Sequence, residues 1–144
     1  MSLNFEGKAP DLVFYVSVKS GEVQQQEVGF LTLRQNRRPI TSDKEGKHEI
    51  GLYVTDGTIV KISDKEAEFA LNNLSINLFN LGTFVAESSG DKLVLDDKGN
   101  YIVKTNSVKT ITSGNENFLG AKGYMVFIRD ETPVITILVY FTHV

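Results

Sequence analysis

The stretch Val134-Ile135-Thr136-Ile137-Leu138-Val139-Tyr140-Phe141 decides the fold class of this chain. Every residue in it except Leu138 is β-branched or aromatic, and such residues pack well on the pleated surface of a sheet. The segment Gly123–Ile128 has a similar composition, and a short turn near Thr132-Pro133 separates the two. Together they predict a C-terminal pair of strands.

Strand patterns continue through most of the chain. Leu74, Ile76 and Leu78 share one face of a further predicted strand, because side chains alternate between the two faces. The segment Asp64–Asn73 fits either a short helix capped by Asp64 or a strand, and a strand is favoured. The remaining predicted strands are Leu12–Val18, Glu27–Arg34, Gly82–Glu87, Lys92–Leu95 and Tyr101–Lys104.

Three segments are typical of turns or loops. Asp56-Gly57 suits the positive φ angles of a tight turn, so it predicts a hairpin between His48–Val54 and Thr58–Ile62. Asp97-Lys98-Gly99-Asn100 is a second strong turn signal. The polar stretch from Gln35 to Lys47 predicts the longest loop.

Many short strands with almost no helix indicate an all-β protein, either an antiparallel β-barrel or a sandwich. A barrel is favoured because closure removes the exposed edges that apolar strands would otherwise offer. The length of 144 residues is that of one domain, so residues 1–144 are expected to form a single β-barrel domain. Residues 1–10 are expected to be a flexible N-terminal segment.

Composition excludes several classes of function. The net charge of −3 argues against nucleic acid as a partner. The absence of cysteine removes thiolate nucleophiles and iron–sulfur clusters. Two histidines are too few for a three-histidine metal site, and the common phosphate-loop, nucleophile-elbow and metalloprotease motifs are absent. We therefore expect no metal and no cofactor.

The sequence has no apolar run of membrane-spanning length and no recognisable signal peptide. We therefore expect a soluble protein that does not use a membrane. The cellular compartment is left open, with the cytoplasm favoured because neither a signal peptide nor cysteine is found.

Polar side chains in apolar strands are the candidate site residues. A carboxyl group inside an apolar cavity has a raised pKa and can exchange protons near neutrality, so Glu87 and Glu49 are candidate acid/base residues if they face inward. An outward-facing glutamate is the alternative for each. Arg34 lies in the only concentrated run of positive charge and is expected to hold an anionic head group at a barrel mouth, or else to lie in a solvated loop.

The C-terminal third carries a family resemblance. The segment Ile111–Tyr124 resembles the I-x-G-G-x-G-x-F-x-x-A-x-G turn and strand of the dirigent and allene oxide cyclase barrels. The end of the chain, Val139–Val144, is similar to the dirigent terminus V-Y-V-x-H-Y. The segments Leu12–Tyr15 and Ile50–Val54 are similar to the L-x-F-Y and G-x-Y strands of the same family.

This resemblance implies an eight-stranded antiparallel, calycin-like barrel with a hydrophobic cavity, often trimeric, that works without metal or cofactor. Such relatives direct coupling or ring closure of a reactive intermediate, or isomerise an unstable fatty-acid epoxide. This chain departs from the dirigents at Ser17-Val18, where they carry His-Asp, and at Ser113-Gly114 and Asn115, where they carry glycines or small residues. A divergent cyclase fits these departures better than phenolic coupling of the plant kind.

The leading hypothesis is a cofactor-free cyclase or isomerase that binds a hydrophobic, flexible substrate and works as a homo-oligomer, a trimer or dimer. Orientation in an apolar pocket would then select one stereochemical path. The candidate residues have assigned roles. Glu87, Glu49 and Tyr15 are predicted to be catalytic, while Tyr53, Asn77, Tyr124, Arg34 and Tyr140 are predicted to bind the substrate.

Two alternatives stay open. The first is a lipocalin-like or fatty-acid-binding carrier that holds a hydrophobic molecule without chemistry, with Arg34 on its carboxylate. The second is a structural protein whose barrel is filled by its own side chains. A convergence of inward polar groups within the cavity would favour an enzyme, and polar groups confined to the mouth would favour the carrier.

Overall fold

A computed structural model describes residues 7–88, 90–95, 101–103, 106–129 and 132–143. Within these ranges the chain forms strands and one short 3-10 turn at Glu116–Phe118. The strands are β1 (Leu12–Ser17), β2 (Glu22–Val28), β3 (Leu31–Thr41), β4 (Glu49–Lys61), β5 (Glu66–Leu78), β6 (Gly82–Ser88), β7 (Lys92–Leu95), β8 (Tyr101–Val103), β9 (Ser107–Gly114), β10 (Lys122–Arg129) and β11 (Val134–His143).

Eight of these strands close into an antiparallel barrel, as predicted. Around the ring each strand pairs with the next in the order β1, β11, β10, β9, β6, β5, β4, β3, and β3 returns to β1 through Tyr15 and Thr41. The predicted C-terminal pair is confirmed, because β10 and β11 pair along their whole length.

Alternation along the strands fills the barrel with apolar side chains. Phe14, Ile76, Phe84, Met125 and Ile137 are all buried and belong to one continuous core. The rings of Phe84, Phe118 and Phe141 contact one another at one end, with centroids 4.9 to 5.8 Å apart. The half of the barrel at this end is therefore packed with protein side chains.

Strands β3, β4 and β5 are longer than the barrel needs. They run past its other end with β2 added at one edge and β7 and β8 at the other, and we call this extension the arm. It has a small core of its own, formed by Ile59, Ala67, Phe69 and Leu93. The inner face of the arm continues the inner face of the barrel.

The predicted hairpin at Asp56-Gly57 is wrong, because both residues lie in the middle of β4. Gly57 pairs with Arg34 on one side and Asn72 on the other. A Cβ atom at Gly57 would lie 2.8 Å from the ring of Phe69, so this glycine makes room for a packed ring rather than for a turn.

The predictions for the segment before it are also corrected. Glu27–Arg34 is not one strand, because Gly29, at φ 62°, begins a turn between β2 and β3. The expected loop from Gln35 to Lys47 is strand as far as Thr41. Its polar residues alternate between the two faces of a sheet, so a polar composition alone could not distinguish this strand from a loop.

Two other predictions have different outcomes. The strand favoured for Asp64–Asn73 is confirmed, since β5 begins at Glu66. The turn at 97–100 lies outside the described residues, as do residues 1–6 of the expected flexible segment. Within that segment, Lys8 contacts the carboxylate of Asp11 and the carbonyl oxygen of Phe141.

In the described part of the chain, no helix has the length and apolar character that a transmembrane span requires.

Gly123 and Gly120 offer a matched test of the barrel's closest backbone approach. Both have positive φ. A Cβ atom at Gly123 would lie 2.0 Å from the carbonyl oxygen of Tyr140, whereas a Cβ atom at Gly120 would have no such neighbouring atom within 4 Å. We expect Gly120→Ala to cost about 1 kcal/mol of unfolding free energy for backbone strain alone. Gly123→Ala should cost about 3 kcal/mol or more, because β10 must also move away from β11. Urea unfolding measures both, and equal losses would contradict this account.

Candidate functional site

The inner face changes from apolar to polar where the barrel meets the arm. We call this end the cationic mouth. Its residues come from opposite walls. Strands β3 and β4 form one wall, and the other is formed by β9, β10, the end of β6 and the segment after it. Alternation places them on the same face as the core residues of their strands. They are Arg34, Asn36, Arg38, Tyr53, Ser88, Asp91, Lys109, Phe127 and Arg129.

Three arginines lie at the mouth, Arg34 and Arg38 on β3 and Arg129 at the end of β10 on the facing wall. Burial lowers the pKa of Arg34, and the neighbouring charge of Arg38 lowers it further. Burial also lowers the pKa of Arg38, the Tyr53 phenol partly offsets this, and Arg129 adds a further decrease. Arg38 therefore feels the positive charge of Arg129 and exerts its own on Arg34, so like charges act on one another across the mouth.

Arg38 also has a structural role. Its Nη1 donates to the carbonyl oxygen of Val18 at 2.8 Å and to that of Ser20. These bonds hold the turn between β1 and β2 against the mouth. Only part of its donor capacity is used in this way, since a guanidinium carries five N–H groups.

Asn36 lies between Arg34 and Arg38 on the same face of β3 and pairs with Thr55 of β4. Its Oδ1 atom is buried and has no hydrogen-bond partner among the described residues. Buried polar atoms are nearly always paired, with protein, water or ligand. The Asn36 amide therefore offers an acceptor beside the arginines.

Aromatic rings form the floor of the mouth. The rings of Tyr53 and Phe127 come from opposite walls and lie 6.3 Å apart between centroids, and both pack on the barrel core. Burial raises the pKa of Tyr53 to about 12, although the charges of Arg38 and Arg34 act in the opposite direction. The phenol is therefore neutral at physiological pH and can donate a hydrogen bond.

The opposite wall carries a buried lysine network. Lys109 is 3% exposed, and its Nζ donates to Ser88 Oγ at 2.8 Å and to Asp91 Oδ2 at 3.0 Å. Ser88 Oγ also donates to the same carboxylate oxygen at 3.0 Å. The amine lies 5.1 Å from the centroid of the Phe127 ring. Burial lowers the pKa of Lys109, and the Asp91 carboxylate opposes that shift.

The structure places the sequence-predicted residues in two groups. Tyr53 and Arg34 lie in the cationic mouth. The others lie on the outer face: Tyr15, Glu49, Asn77, Glu87, Tyr124 and Tyr140. The outer face is assigned from alternation with the buried residues next to each.

The inward placement that the catalytic roles of Glu49 and Glu87 require is not found, and the outward-facing alternative holds for both. Both side chains are exposed, because Glu87 follows inward-facing Ala86 and Glu49 stands at the start of β4. Glu49 lines an open groove of about 380 Å³ on the outer surface, beside Glu22, Arg37 and Phe79. The catalytic roles of Glu49 and Glu87 stay predictions. The burial on which those roles depend is not found at either residue.

The remaining four lie apart from the mouth. Asn77 is exposed on β5, and Tyr15 is half-buried beside Thr41 and Thr136. Tyr124 and Tyr140 are directly paired on β10 and β11. Tyr140 is 6% exposed, yet it alternates with Val139 and so lies on the outer side. These four residues do not converge with Arg34 and Tyr53.

Sequence reasoning missed most of the mouth. Arg38 and Asn36 lay in the supposed loop, although Arg34, Asn36, Arg38 and Ile40 share the period of a strand. Lys109 shares one face of β9 with Ser107 and Ile111, and that pattern could have placed it on an inner face. Within the described ranges, no group of three or more histidine, aspartate or glutamate residues could hold a metal ion.

Comparison with known proteins supports the fold. No protein-family model matches the chain, and no curated protein matches it in sequence. The fold is similar to that of a solved structure described as pyocyanin demethylase, with 14% sequence identity and a TM-score of 0.67. The match covers 91% of this chain and 100% of the other. At this identity the likeness shows a shared barrel fold.

The buried phenol gives a test of the mouth's floor. Because the folded-state pKa of Tyr53 is raised from 10.0 to about 12, its contribution to stability is complete below pH 10 and is lost as pH rises towards 12. Relative to Tyr53→Phe, the unfolding free energy of the native protein should fall by about 1.4 kcal/mol per pH unit in that window. Denaturant unfolding at several alkaline pH values measures the difference.

The matched control is Tyr124→Phe, which changes an outer-face tyrosine. Ultraviolet titration of the folded native protein and of Tyr124→Phe should show a late phenolate step that Tyr53→Phe lacks. The same late step in Tyr53→Phe would mean that another tyrosine causes it.

Proposed function

We propose that the protein binds a small organic anion with a flat apolar body in the cationic mouth. The observation that carries this proposal is the gathering of Arg34, Arg38 and Arg129 at the open end of an otherwise apolar barrel. Like charges brought together at a partly buried site repel one another, and an anion relieves that repulsion. Guanidinium groups are well suited to carboxylate and similar oxyanions.

The floor of the mouth accounts for the apolar part of the ligand. The rings of Tyr53 and Phe127 present aromatic surface beneath the charged groups. The Tyr53 hydroxyl can donate to a ligand oxygen, and the free Oδ1 acceptor of Asn36 suits a ligand O–H or N–H group. A small aromatic or polyene acid bearing a hydroxyl or amino group matches this set of donors and acceptors.

The fold is compatible with small-molecule binding, and the barrel neighbour described above carries an enzyme's name, pyocyanin demethylase. The described core residues fill the barrel below the mouth. We therefore propose a ligand above the rings rather than inside a deep hydrophobic cavity. This arrangement favours the carrier hypothesis over a cyclase whose substrate lies inside the barrel.

A cofactor-free isomerase or cyclase is the second candidate. The observation favouring it is the network of Lys109, Ser88 and Asp91 on the wall opposite Arg34 and Arg38. Such groups can exchange a proton with a ligand held by the arginines. The resemblance to the dirigent and allene oxide cyclase barrels supports the same candidate. The homo-oligomer implied by that resemblance stays a prediction, which native mass spectrometry tests.

Binding of 1-naphthoate, a flat aromatic carboxylate, tests the proposed function, with uncharged 1-naphthamide as the matched ligand. We expect naphthoate to bind with a Kd of about 0.1–1 mM, as a ligand of this size allows, and naphthamide at least about tenfold more weakly. Arg129→Gln and Arg34→Gln should each weaken naphthoate binding about tenfold or more, the effect of losing one charge-assisted contact. Isothermal titration calorimetry at low salt measures all four.

Arg37→Gln is the control variant, because Arg37 lies on the same strand but is exposed on the outer face. Its affinity for naphthoate should match that of the native protein. Equal affinity for naphthoate and naphthamide would contradict the proposal, as would an equal loss in Arg37→Gln.

A further inference from the structure

Lys109 is an unusual residue for the inner face of a barrel. It is buried and occupies a position where its strand neighbours on the same face, Ser107 and Ile111, are also buried. Burying an ammonium group is costly unless it is paired. The chain places Asp91 and Ser88 beside it, both from the segment that follows Ala86.

This network contains more hydrogen bonds than are needed to neutralise the charge of Lys109. One carboxylate oxygen of Asp91 accepts from both Lys109 Nζ and Ser88 Oγ, while the same hydroxyl accepts from the amine. The three polar groups form a closed triangle with sides of 2.8 to 3.0 Å. A proton acceptor and a hydroxyl therefore both contact one amine.

The amine is also close to the opening. Ser88 and Asp91 each retain part of their surface in solvent, so the buried nitrogen is one contact away from water. Phe127 links the two walls, because its ring lies 5.1 Å from Lys109 Nζ and 6.3 Å from the ring of Tyr53. A flat ligand on the aromatic floor would have Arg34 and Arg38 on one side and this amine on the other.

We propose that Lys109 is an imine-forming residue for aldehydes or ketones that carry an anionic group. This inference rests on the proposed function, because the arginines would hold the anionic group while the carbonyl carbon approaches Nζ. Burial favours the neutral form of an amine. The lowered pKa of Lys109 agrees with that requirement.

The step balances without an oxidant or cofactor. The Lys109 ammonium passes one proton to Asp91 Oδ2, and the neutral amine attacks the carbonyl carbon. A proton then moves from nitrogen to oxygen, giving a carbinolamine, and Asp91 returns its proton to the hydroxyl group. Water leaves and an iminium ion remains on Lys109, so ammonium plus carbonyl gives iminium plus water. Ser88 can donate a hydrogen bond to the departing oxygen.

Labelling with pyridoxal 5′-phosphate tests the inference, because this probe is a flat aromatic aldehyde with an anionic group. The native protein is incubated with the probe, reduced with borohydride and analysed by peptide mass mapping. We expect Lys109 to be modified about tenfold or more faster than exposed Lys8 and Lys122, because binding in the mouth raises the local concentration of the aldehyde. Pyridoxal without the phosphate should lose most of this preference, and 1-naphthoate should protect Lys109.

Variants separate reactivity from a structural role. Lys109→Arg keeps the charge and should lose the label, while Lys92→Arg, which changes an exposed lysine paired with Glu68, should keep it. Asp91→Asn removes the carboxylate that favours the ammonium form. The pH at which Lys109 labelling is half-maximal should therefore move to lower pH in Asp91→Asn. The maximal labelling rate should also fall, because the group that takes and returns the proton is gone, whereas a merely structural pair would leave that rate unchanged.

The outcomes distinguish this inference from the proposed function. If naphthoate binds as expected but Lys109 is labelled no faster than the exposed lysines, the imine proposal is overturned and anion binding stands. If Lys109 is labelled rapidly by both probes while naphthoate does not bind, the amine is reactive but the anion site is wrong, which also overturns the proposal as stated.

Discussion

The difference in length among the barrel strands is the constraint on which the site depends. Strands β4 and β5 have 13 residues each, whereas β1 has six and β6 has seven. Where the short strands end, the inner face of the long strands continues beyond them. The apolar core does not continue at this end, and the same face carries partly buried polar groups such as Arg34 and Asn36.

The fold could be predicted from local patterns, because apolar and polar residues alternate along a strand wherever one of its faces is buried. Ile135–Phe141 and Leu74–Leu78 show this directly. The Asp56-Gly57 prediction failed because the same dipeptide serves a tight turn or a strand packed against an aromatic ring, and only the position of Phe69 distinguishes the two. Such contacts depend on residues that are distant in sequence.

The site was harder to predict for a related reason. Arg38 and Lys109 are charged residues, and a charged residue in an isolated sequence is most often solvated. Their burial follows from strand pairing, which places Lys109 beside Ser88 and Asp91 and Arg38 beside the carbonyl groups of Val18 and Ser20. Glu49 and Glu87 failed as interior residues because a change of one position reverses every side chain of a strand.

Electrostatics connects this architecture to function. The chain as a whole carries a net charge of −3, yet its mouth brings together Arg34, Arg38 and Arg129. Preorganised charge on rigid strands binds an anion with little reorganisation. The Lys109 network on the facing wall is held just as firmly, and this gives the site two chemically distinct sides.

The most direct test of anion binding at the mouth is a nitrogen-15 chemical-shift titration of the protein with 1-naphthoate. The account predicts that the amide and side-chain signals of Arg34, Asn36, Arg38 and Arg129 shift together with one affinity. Shifts confined to the outer groove around Glu49 and Phe79 would show that the ligand binds elsewhere and would contradict the account.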